Sequence, residues 1–539
     1  MTAVFDRARA LLDNGRSAMV LGRSGLIEYR RPDRIIKAVS DIRSLGPIAG
    51  PLRIATRRCP DRLAVVDETR LMTFAQLDQR SDALALGLLE RGYGPSTTVG
   101  TLCRDRCGLI EAMMGASKIG ARLVLLNTGL SARELGEVTV REGVTVVIHD
   151  TEFAGALAHL PDSVLPIAAD AESGTGTSGT ALADLIDRHA GAGRPPRPAR
   201  PGALIALTGG TTGTPKGAER TVRSPLAAVQ FLDRIPLPFE GTTFLAAPLF
   251  HGTALSQFLL SLTLGTTTIM RRRFDPEQTM QAIDAHGCTT LVLVPTMLRR
   301  ILGLGADILD KYDTSTLSVI FCAGSTLPIE TGNRAIAQFG PVLYNLYGAS
   351  EVGVAAVATP WDWIAAPGTV GKPPRSTRVR LYDDHDQPVT RPHVRGTVYV
   401  GSALSFEGYS GGGGKKVIDG LLSSGDVGHW DANGRLFVDG RDDDMIVSGG
   451  ENVFPGEVEE LLYAHPDIDE AAIVAVPDDV FGQRLAAFVV ARPDTTLDAD
   501  TVRQYVKDNL ARFKVPRDVT FIDKLPRTPS GKLLRRELT

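Results

Sequence analysis

The sequence contains no long uninterrupted run of apolar residues. The richest stretch, Phe258 to Met270, is broken by Ser261, Thr263 and Gly265, so we predict that it lies in a buried core. A membrane-spanning helix would need roughly 20 consecutive apolar residues. The first twenty residues carry scattered charges and no continuous apolar block, a pattern that is not that of a secretory signal. We therefore expect no transmembrane segment, while peripheral contact with a membrane surface is left open.

Cysteine is also scarce. The five cysteines (Cys59, Cys103, Cys107, Cys288 and Cys322) are odd in number and scattered, and no second pair follows Cys103 and Cys107 at metal-site spacing. This usage argues against a disulfide framework and favours reduced structural thiols, as in cytoplasmic proteins. We expect a cytoplasmic location.

A strong excess of charge is likewise absent. The formal net charge is −3 over 539 residues, and no basic stripe stands out. Binding to nucleic acid would require such a stripe, so we expect no nucleic-acid partner. Hydrophobic residues make up 43% and charged residues 22% of the chain, which is typical of globular proteins. The length exceeds that of one ordinary core, so two or more domains are expected.

From Ala64 onward, short β-rich runs alternate with helical segments. The runs include LAVV, TVGTLC, ARLVLLN and VTVVIHD, and FAQLDQRSDALALGLLERG is one of the helical segments. Such alternation predicts βα units with largely parallel sheets. After a loop-like region at Gly174–Gly202 the pattern resumes with ALIALT, TTLVLVPTM, LSVIFCAG and PVLYNLYG. Each of these runs ends at a small or polar residue. In an open α/β sheet, ligands bind in the crevice at the carboxyl ends of the strands, so we expect these runs to end at a ligand-binding crevice.

The pattern changes beyond Gly396 to shorter β-type runs and then to an α+β pattern. We predict an N-terminal extension over residues 1–50, a large domain of layered α/β subdomains over residues 51–440 and a small α+β domain over residues 441–539. The extension carries weakly amphipathic stretches at Ala3–Leu12 and Arg34–Leu45. They favour a helical extension packed on the large domain, and docking to a membrane surface is the alternative.

The sharpest local motif is LTGGTTGTPKG, which follows an apolar strand and predicts a phosphate grip. Glycines let successive backbone N–H groups point at an anion, threonines add hydroxyl donors and lysine adds a charge. Pro215 before Lys216 and Gly217 after it rule out a Walker loop. The candidate nucleotide-binding residues of this loop are Thr208, Gly209, Gly210, Thr211, Thr212, Gly213, Thr214 and Lys216.

This loop resembles that of the adenylate-forming superfamily, which includes acyl-CoA synthetases, peptide-synthetase adenylation domains and beetle luciferases. Four further blocks resemble the family's motifs in the same order, over roughly residues 50 to 539. They are YGASE at Tyr347–Glu351, SSGDVG at Ser423–Gly428, GRDDDMIVSGGENVFPGEVE at Gly440–Glu459 and PRTPSGKLLRREL at Pro526–Leu538. Five ordered blocks are far more specific than any one of them.

The resemblance implies roles for the nucleotide-binding residues. Glu351 resembles the carboxylate that holds Mg²⁺ against the phosphates, a metal that requires oxygen ligands. Asp426 resembles the residue that takes both ribose hydroxyls, and Arg441 resembles the arginine that also contacts the ribose. Tyr347, Gly348 and Ser350 complete this part of the predicted site.

The resemblance also implies two alternating arrangements of a mobile C-terminal domain. Lys532 corresponds to the catalytic lysine, which offsets the repulsion when one anion attacks another. Asp443 corresponds to the hinge, and rotation about it replaces Lys532 with Ser448, Gly449 and Gly450, where the glycines leave room for pantetheine. His251, in PLFHGTAL, corresponds to the residue that gates the carboxylate pocket.

Two departures from the family pattern concern nucleotide contacts. Gly209 replaces the usual serine of the loop, and the stretch before Asp426 lacks the usual Pro-Glu-Ala-Thr segment and tryptophan. The SGGEN form of the hinge block favours CoA ligases over peptide-synthetase domains.

The resemblance therefore predicts an ATP-dependent, AMP-forming acyl-CoA synthetase that requires ATP, Mg²⁺ and coenzyme A. A medium- or long-chain fatty acid is the expected substrate. Its grounds are the small residue Ala349, the apolar stretch after His251 and the lack of an aspartate in FCAGST, where relatives that activate amino acids place an ammonium partner. Loading of a carrier protein and a degenerate nucleotide-binding homologue are the alternatives, and a homodimer is left open.

Overall fold

The computed structural model describes most of the chain. The described residues are 19–26, 32–171, 180–208, 216–220, 228–349, 351–402, 404–405, 414–442, 444–448, 451–478, 482–493, 495–528 and 531–538. We refer to described residues up to 442 as the N-terminal body and to those from 444 to 538 as the C-terminal region. The predicted helix at Ala3–Leu12 lies outside the described residues.

The described helices are numbered in chain order. They are α1 Pro32–Arg58, α2 Phe74–Glu90, α3 Cys107–Lys118, α4 Ala132–Glu142, α5 Leu182–Arg188, α6 Val229–Leu232, α7 Gly252–Leu264, α8 Pro276–His286, α9 Pro295–Leu302, α10 Ala306–Leu309, α11 Ile329–Phe339, α12 Pro360–Ala365, α13 Pro455–Tyr463 and α14 Ala499–Asn509. Short 3₁₀ helices lie at Thr151–His159, Arg512–Lys514 and Arg535–Glu537.

The strands follow the same numbering. They are β1 Leu63–Val66, β2 Leu71–Thr73, β3 Thr98–Leu102, β4 Arg122–Leu125, β5 Val146–His149, β6 Leu165–Ala168, β7 Thr180–Ala181, β8 Leu204–Thr208, β9 Lys216–Arg220, β10 Thr242–Leu245, β11 Thr267–Met270, β12 Thr290–Leu293, β13 Val319–Ala323, β14 Leu343–Ala349, β15 Gly353–Ala358, β16 Arg378–Tyr382, β17 Gly396–Gly401, β18 Val417–Ile418, β19 Leu421–Trp430, β20 Leu436–Arg441, β21 Ile446–Ser448, β22 Glu451–Val453, β23 Ile468–Asp478, β24 Gly482–Ala491 and β25 Asp518–Phe521.

Two large sheets dominate the N-terminal body. One has seven strands in the order β7-β6-β5-β3-β4-β8-β9, and the other has eight in the order β15-β14-β13-β12-β10-β11-β1-β2. Neighbours are parallel in both sheets except at the edges, where β9, β15 and β2 run antiparallel. The predicted α/β class with mostly parallel sheets is confirmed, and every β-rich run named above forms a strand.

Two smaller five-stranded sheets follow. The antiparallel sheet β16-β17-β19-β18, with β20 paired to β19, completes the N-terminal body. The sheet β22-β21-β24-β23, with β25 added in parallel to β24, belongs to the C-terminal region. Each region buries its own apolar clusters, and none of the clusters among the described residues contains members from both regions.

The N-terminal helix α1 is kinked rather than continuous. Gly46 has φ 73° and ψ −169° inside it, a conformation that side chains other than glycine rarely adopt. A Cβ atom there would also lie 3.0 Å from that of Pro201. The second half restarts at Pro47, and its ring suits a first helical turn. Leu45 and Leu52 are both in the main core, so the predicted limit of the extension at residue 50 falls inside a packed helix.

Helices α1, α2 and α3 meet at a buried cluster of four charged residues. Arg53 lies 3.0 Å from Asp78 and 2.8 Å from Asp82, and Lys118 lies 2.8 and 2.7 Å from the same two carboxylates. All four side chains are at most 7% exposed. Two cations and two anions balance, so the cluster buries no net charge.

The described helices include none that is both long enough and apolar enough to cross a membrane.

Candidate active site

The strand ends of the eight-stranded sheet open into a large cavity. Its volume is about 2040 Å³. Neighbouring strands β12, β13 and β14 are parallel, so their carboxyl ends meet at the same edge. The residues that follow or end these strands line the cavity, namely Val294, Pro295, Thr296, Ala323, Gly324, Tyr347, Gly348 and Ala349. The prediction that these runs deliver their ends to a crevice is confirmed.

The glycine- and threonine-rich loop joins the paired strands β8 and β9. Thr208 ends β8, Lys216 begins β9, and the two residues are antiparallel partners. Leu207, one residue earlier, lines the cavity. Gly209, Gly210, Thr211, Thr212, Gly213 and Thr214 lie outside the described residues. The two ends of the predicted phosphate loop are therefore adjacent at the cavity edge.

Tyr347, Asp426 and Arg441 form one polar cluster in the cavity wall. The Tyr347 hydroxyl donates to the Asp426 carboxylate and lies 3.1 Å from the Ser424 hydroxyl. Strands β19 and β20 place Asp426 opposite Arg441, whose Nη1 lies 3.5 Å from Asp426 Oδ1. Burial raises the pKa of Asp426 above its ordinary value, although the hydrogen bond from Tyr347 and the charge of Arg441 offset part of this rise. The structure thus brings Tyr347 next to Asp426, which lies 79 residues later in the chain, and places Arg441 beside Asp426 on the neighbouring strand.

Glu351 lies just beyond β14 and lines the same cavity. Gly348 lies within β14, where its Cα is so close to β15 that a Cβ atom would be 2.2 Å from the Gly353 carbonyl oxygen. Only glycine fits this approach. Ser350, the remaining predicted residue of this block, lies outside the described residues.

His251 precedes helix α7 as its N-cap and lines the cavity. Its ring contacts the Phe250 ring with 4.4 Å between centroids. Burial lowers the pKa of His251 to about 4, so the imidazole is neutral near pH 7. Its Nε2 atom has no hydrogen-bond partner among the described residues. A buried, unsatisfied ring nitrogen at a cavity wall is suited to hydrogen-bond a bound molecule.

Asp105 holds the turn before His251 in place, and sequence reasoning missed it. The Leu249 N–H donates to both carboxylate oxygens of Asp105, at 3.1 and 3.3 Å. The carboxyl group is buried, and burial raises its pKa to about 7. The only available signal was an aspartate three residues after the end of the buried strand β3, in the segment CRDRC.

Lys532 belongs to the last loop of the C-terminal region and lines the same cavity. Its N–H donates to Thr528 Oγ1 at 3.0 Å, and Thr528 N–H donates back to the Lys532 carbonyl at 2.8 Å. The loop is tied to β23 by Arg527, which lies 2.8 Å from Glu470. Lys532 therefore shares the cavity with Asp426, Arg441 and Glu351.

Among the described residues, several polar contacts join the C-terminal region to the N-terminal body, beside the packing of the buried Phe454 ring on Gly440. Glu460 accepts a hydrogen bond from the Ile329 N–H at 2.7 Å. Arg299 donates to the Asp469 carbonyl at 2.8 Å and pairs with Glu470. Arg395 pairs with Glu457 and lies over the Phe454 ring, 5.0 Å from its centroid.

Residues predicted to act at the second stage are only partly described. Ser448 ends β21, and its backbone pairs with Glu451 and Gly482. The predicted hinge Asp443 and the glycines Gly449 and Gly450 lie outside the described residues.

Comparison with known proteins assigns the family. The sequence matches the AMP-binding enzyme family over residues 52–410 and the AMP-binding enzyme C-terminal domain over residues 457–532. It is 32% identical to a feruloyl-CoA synthase of Amycolatopsis sp. over 511 residues, which cover 92% of this chain and 99% of the relative. It is 31% identical to a fatty acid–acyl-carrier-protein ligase of Streptomyces coeruleorubidus, with coverage of 89% and 93%.

Solved structures show the same likeness. The o-succinylbenzoate-CoA synthetase of Bacillus subtilis in complex with its acyl-adenylate intermediate matches with a TM-score of 0.79 at 26% identity, covering 91% of this chain and 97% of that one. The same enzyme in complex with ATP and a magnesium ion matches with a TM-score of 0.78 at 26% identity, covering 90% and 98%. ATP, Mg²⁺ and coenzyme A are the usual requirements of AMP-forming CoA ligases. The chain belongs to the adenylate-forming acyl-CoA ligase family.

Proposed function

We propose that this protein activates a medium- or long-chain fatty acid and transfers the acyl group to coenzyme A. In the first step a carboxylate oxygen attacks the α-phosphorus of ATP and pyrophosphate leaves. In the second step the thiolate of coenzyme A attacks the acyl carbon and AMP leaves. The choice of acid rests on the residues of helix α7 that line the cavity. Leu255, Leu259 and Thr263 line the cavity at four-residue spacing from His251, over about 18 Å at 1.5 Å per residue.

The nucleotide end of the cavity fits AMP. Asp426 is the proposed partner of the ribose hydroxyls, because a carboxylate accepts two hydrogen bonds at once. Arg441, which lies beside it, is the proposed second ribose contact, and Tyr347 positions Asp426 through its hydroxyl. Thr208, Lys216 and the loop between them, together with Gly348 and Ser350, are the proposed phosphate contacts.

Glu351 is the proposed magnesium ligand. Mg²⁺ keeps several water ligands and is bound through one or two carboxylates together with substrate phosphates. The carboxylate of Glu351, which lines the cavity, can supply one such ligand. The described residues contain no group of three or more histidine, cysteine or acidic side chains that could hold an ion alone. The ion would supply charge neutralisation at the phosphates.

Lys532 is the proposed electrostatic catalyst of the first step. Carboxylate and phosphate are both anionic, so their approach is opposed until a cation lies between them. Lys532 lines the same cavity as Asp426, and its backbone N–H donates to Thr528 Oγ1 at 3.0 Å.

The acid end favours an apolar substrate without an ammonium group. The segment Phe321–Thr326 lines the cavity, except for Cys322, and contains no acidic residue that could pair with an amine. His251 is neutral near pH 7, because burial lowers its pKa to about 4. Its Nε2 can therefore accept or donate a single hydrogen bond without placing a charge beside the alkyl chain.

The second step requires a second arrangement of the C-terminal region. We propose that residues 441–539 turn about Asp443 relative to residues 51–440, which removes Lys532 and brings Ser448, Gly449 and Gly450 to a pantetheine channel. The polar contacts at Glu460, Arg299 and Arg395 support this motion, since polar interfaces between domains separate more readily than shared apolar cores.

A carrier protein is the second candidate acceptor. One relative of comparable identity is a fatty acid–acyl-carrier-protein ligase, so the same adenylate could be passed to a carrier-bound pantetheine.

We also propose a cytoplasmic location, which is supported by the cysteines. All five are free thiols and four of them are buried.

Pyrophosphate exchange over a panel of acids tests the proposed substrate class. We expect decanoate, dodecanoate and palmitate to exceed acetate, benzoate and ferulate, because each buried methylene contributes about 0.8 kcal/mol. Product formation with free coenzyme A and with a loaded carrier protein then identifies the acceptor. Preferential activation of an aromatic acid would overturn the fatty-acid assignment and leave the family unchanged.

A further inference from the structure

The N-terminal helix α1 contributes an apolar face to the active-site cavity. Ile35, Ala38, Val39 and Ile42 line the cavity in the first half of the helix. Their spacing of three and four residues places them on one face. These residues precede position 52, where the match to the AMP-binding enzyme family begins. This part of the cavity wall is therefore built by a segment outside the matched residues.

The same face continues through the kink at Gly46. Pro47, Pro51 and Ile54 line the cavity in the second half of α1, and α1 packs against α7. Arg58 is the charged residue of this face. Its guanidinium donates to the Thr263 carbonyl at 3.0 Å and lies over the Phe239 ring, 4.4 Å from its centroid. These contacts hold the charge at the end of the helix, away from the residues that precede it.

In the first half of α1, residues on the side away from the cavity are exposed to solvent, whereas the second half packs into the main core. Ile36 is 72% exposed although its neighbour Ile35 lines the cavity. Leu21, Leu26 and Phe231 add further apolar side chains to the cavity wall. From Ile35 to Ile54, the seven side chains of α1 that face the cavity are all apolar and offer no hydrogen bond. An apolar occupant is therefore favoured over water, because burying such a surface is favourable.

We propose that the apolar face of α1 binds the distal methylenes of the acyl chain, so that this N-terminal helix sets the chain-length preference. The proposal rests on the proposed function, since it assigns the tail of the same acid. The occupant is the acyl tail because the cavity is continuous from α1 to Lys532, Asp426 and His251. A carboxylate held near Lys532 would leave an alkyl chain to extend along α7 towards α1.

Paired tryptophan substitutions at adjacent isoleucines test this assignment. Ile35→Trp adds bulk inside the cavity, whereas Ile36→Trp adds the same bulk on the exposed face. We expect Ile35→Trp to lower kcat/KM for palmitate at least tenfold and that for octanoate less than twofold. Ile36→Trp should leave the palmitate-to-octanoate ratio as in the parent protein. Each buried methylene is worth roughly a factor of four, so losing two or three methylene contacts produces the expected change.

A second substitution tests the same role if Ile35→Trp folds poorly. Ile35→Ser removes apolar contact without adding volume and should lower the palmitate-to-octanoate ratio about fivefold. Thermal unfolding of each variant is measured on the same preparations. An unchanged ratio in both Ile35 variants would overturn the role of α1 while leaving the fatty-acid assignment intact. If the parent protein activates an aromatic acid and neither fatty acid, the proposed substrate class fails first, and the role of α1 fails with it.

Discussion

The N-terminal body and the C-terminal region each have their own apolar cores, and among the described residues no apolar cluster is shared between them, whereas several polar contacts join them. Within the body, one large cluster runs from Leu45 to Trp363, and the ion cluster of Arg53, Asp78, Asp82 and Lys118 is almost fully buried. Between the two regions lie the contacts of Glu460 and of the partly exposed Arg299 and Arg395. Breaking a buried contact costs far more than breaking an exposed one. The difference separates the fixed part of the catalytic apparatus from the part that we propose to move.

Removing one charge from the buried cluster should give the largest effect. Lys118→Met leaves two aspartates against Arg53 alone, and their burial leaves the excess charge poorly solvated. We expect the free energy of unfolding of the N-terminal body to fall by about 3–5 kcal/mol. Urea unfolding followed by circular dichroism measures the loss.

A matched surface pair provides the control for that substitution. Arg133 and Glu137 form an ion pair one helical turn apart, with side chains 86% and 44% exposed. Arg133→Met should cost no more than about 0.5 kcal/mol. If Lys118→Met is equally mild, the buried cluster does not anchor the three helices and the contrast between the two regions is weaker than proposed.

Removing the proposed catalytic lysine should affect one half-reaction only. Lys532→Ala is expected to slow acyl-adenylate formation about a hundredfold or more, the loss typical of a main electrostatic stabiliser. Thioester formation from preformed acyl-AMP should change far less. Lys524→Ala is the control, because this exposed lysine near the chain end does not line the cavity. Equal loss of both half-reactions in Lys532→Ala would contradict the assigned role.

Breaking one contact between the two regions should have the smallest effect. Arg395→Gln removes the pairing with Glu457 and the contact with Phe454. We expect the free energy of unfolding to change by less than about 1 kcal/mol. The arrangement with Lys532 in the cavity should become less populated, so adenylate formation should slow about two- to fivefold relative to thioester formation.

The control for Arg395 is an exposed arginine pair within the N-terminal body. Arg380 lies 3.2 Å from Asp419, and the two side chains are 57% and 58% exposed. Arg380→Gln should leave the ratio of the two half-reactions unchanged. An equal change of this ratio in Arg380→Gln and Arg395→Gln would show that the contact at Glu457 does not bias the C-terminal region.

Much of the fold was predictable because the signals are local. Runs such as TVGTLC and LSVIFCAG are buried parallel strands, and continuous apolar runs are what such strands require. Tyr347, Glu351, Asp426, Arg441 and Lys532 were found through short motifs, and the structure brings all five to one cavity. The roles assigned to them remain proposals.

The features that the sequence did not reveal depend on distant contacts. Arg53, Asp78 and Lys118 lie on three separate helices, so no short window contains their partnership. Asp105 acts on a backbone N–H that is 144 residues away in the chain. The cavity-facing side of α1 gave only a weak amphipathic pattern, because both of its faces carry apolar residues and prolines interrupt it.

The kink at Gly46 has an evolutionary consequence. It divides α1 into a second half that carries Arg53, a member of the buried ion cluster between three helices, and a first half that carries Ile35, Val39 and Ile42. Under the proposed role of α1, substitutions of Ile35, Val39 or Ile42 can change which acid is selected while leaving the ion pairs of Arg53 in place. Natural variation and directed evolution thus have a segment in which selectivity can drift at little cost to folding.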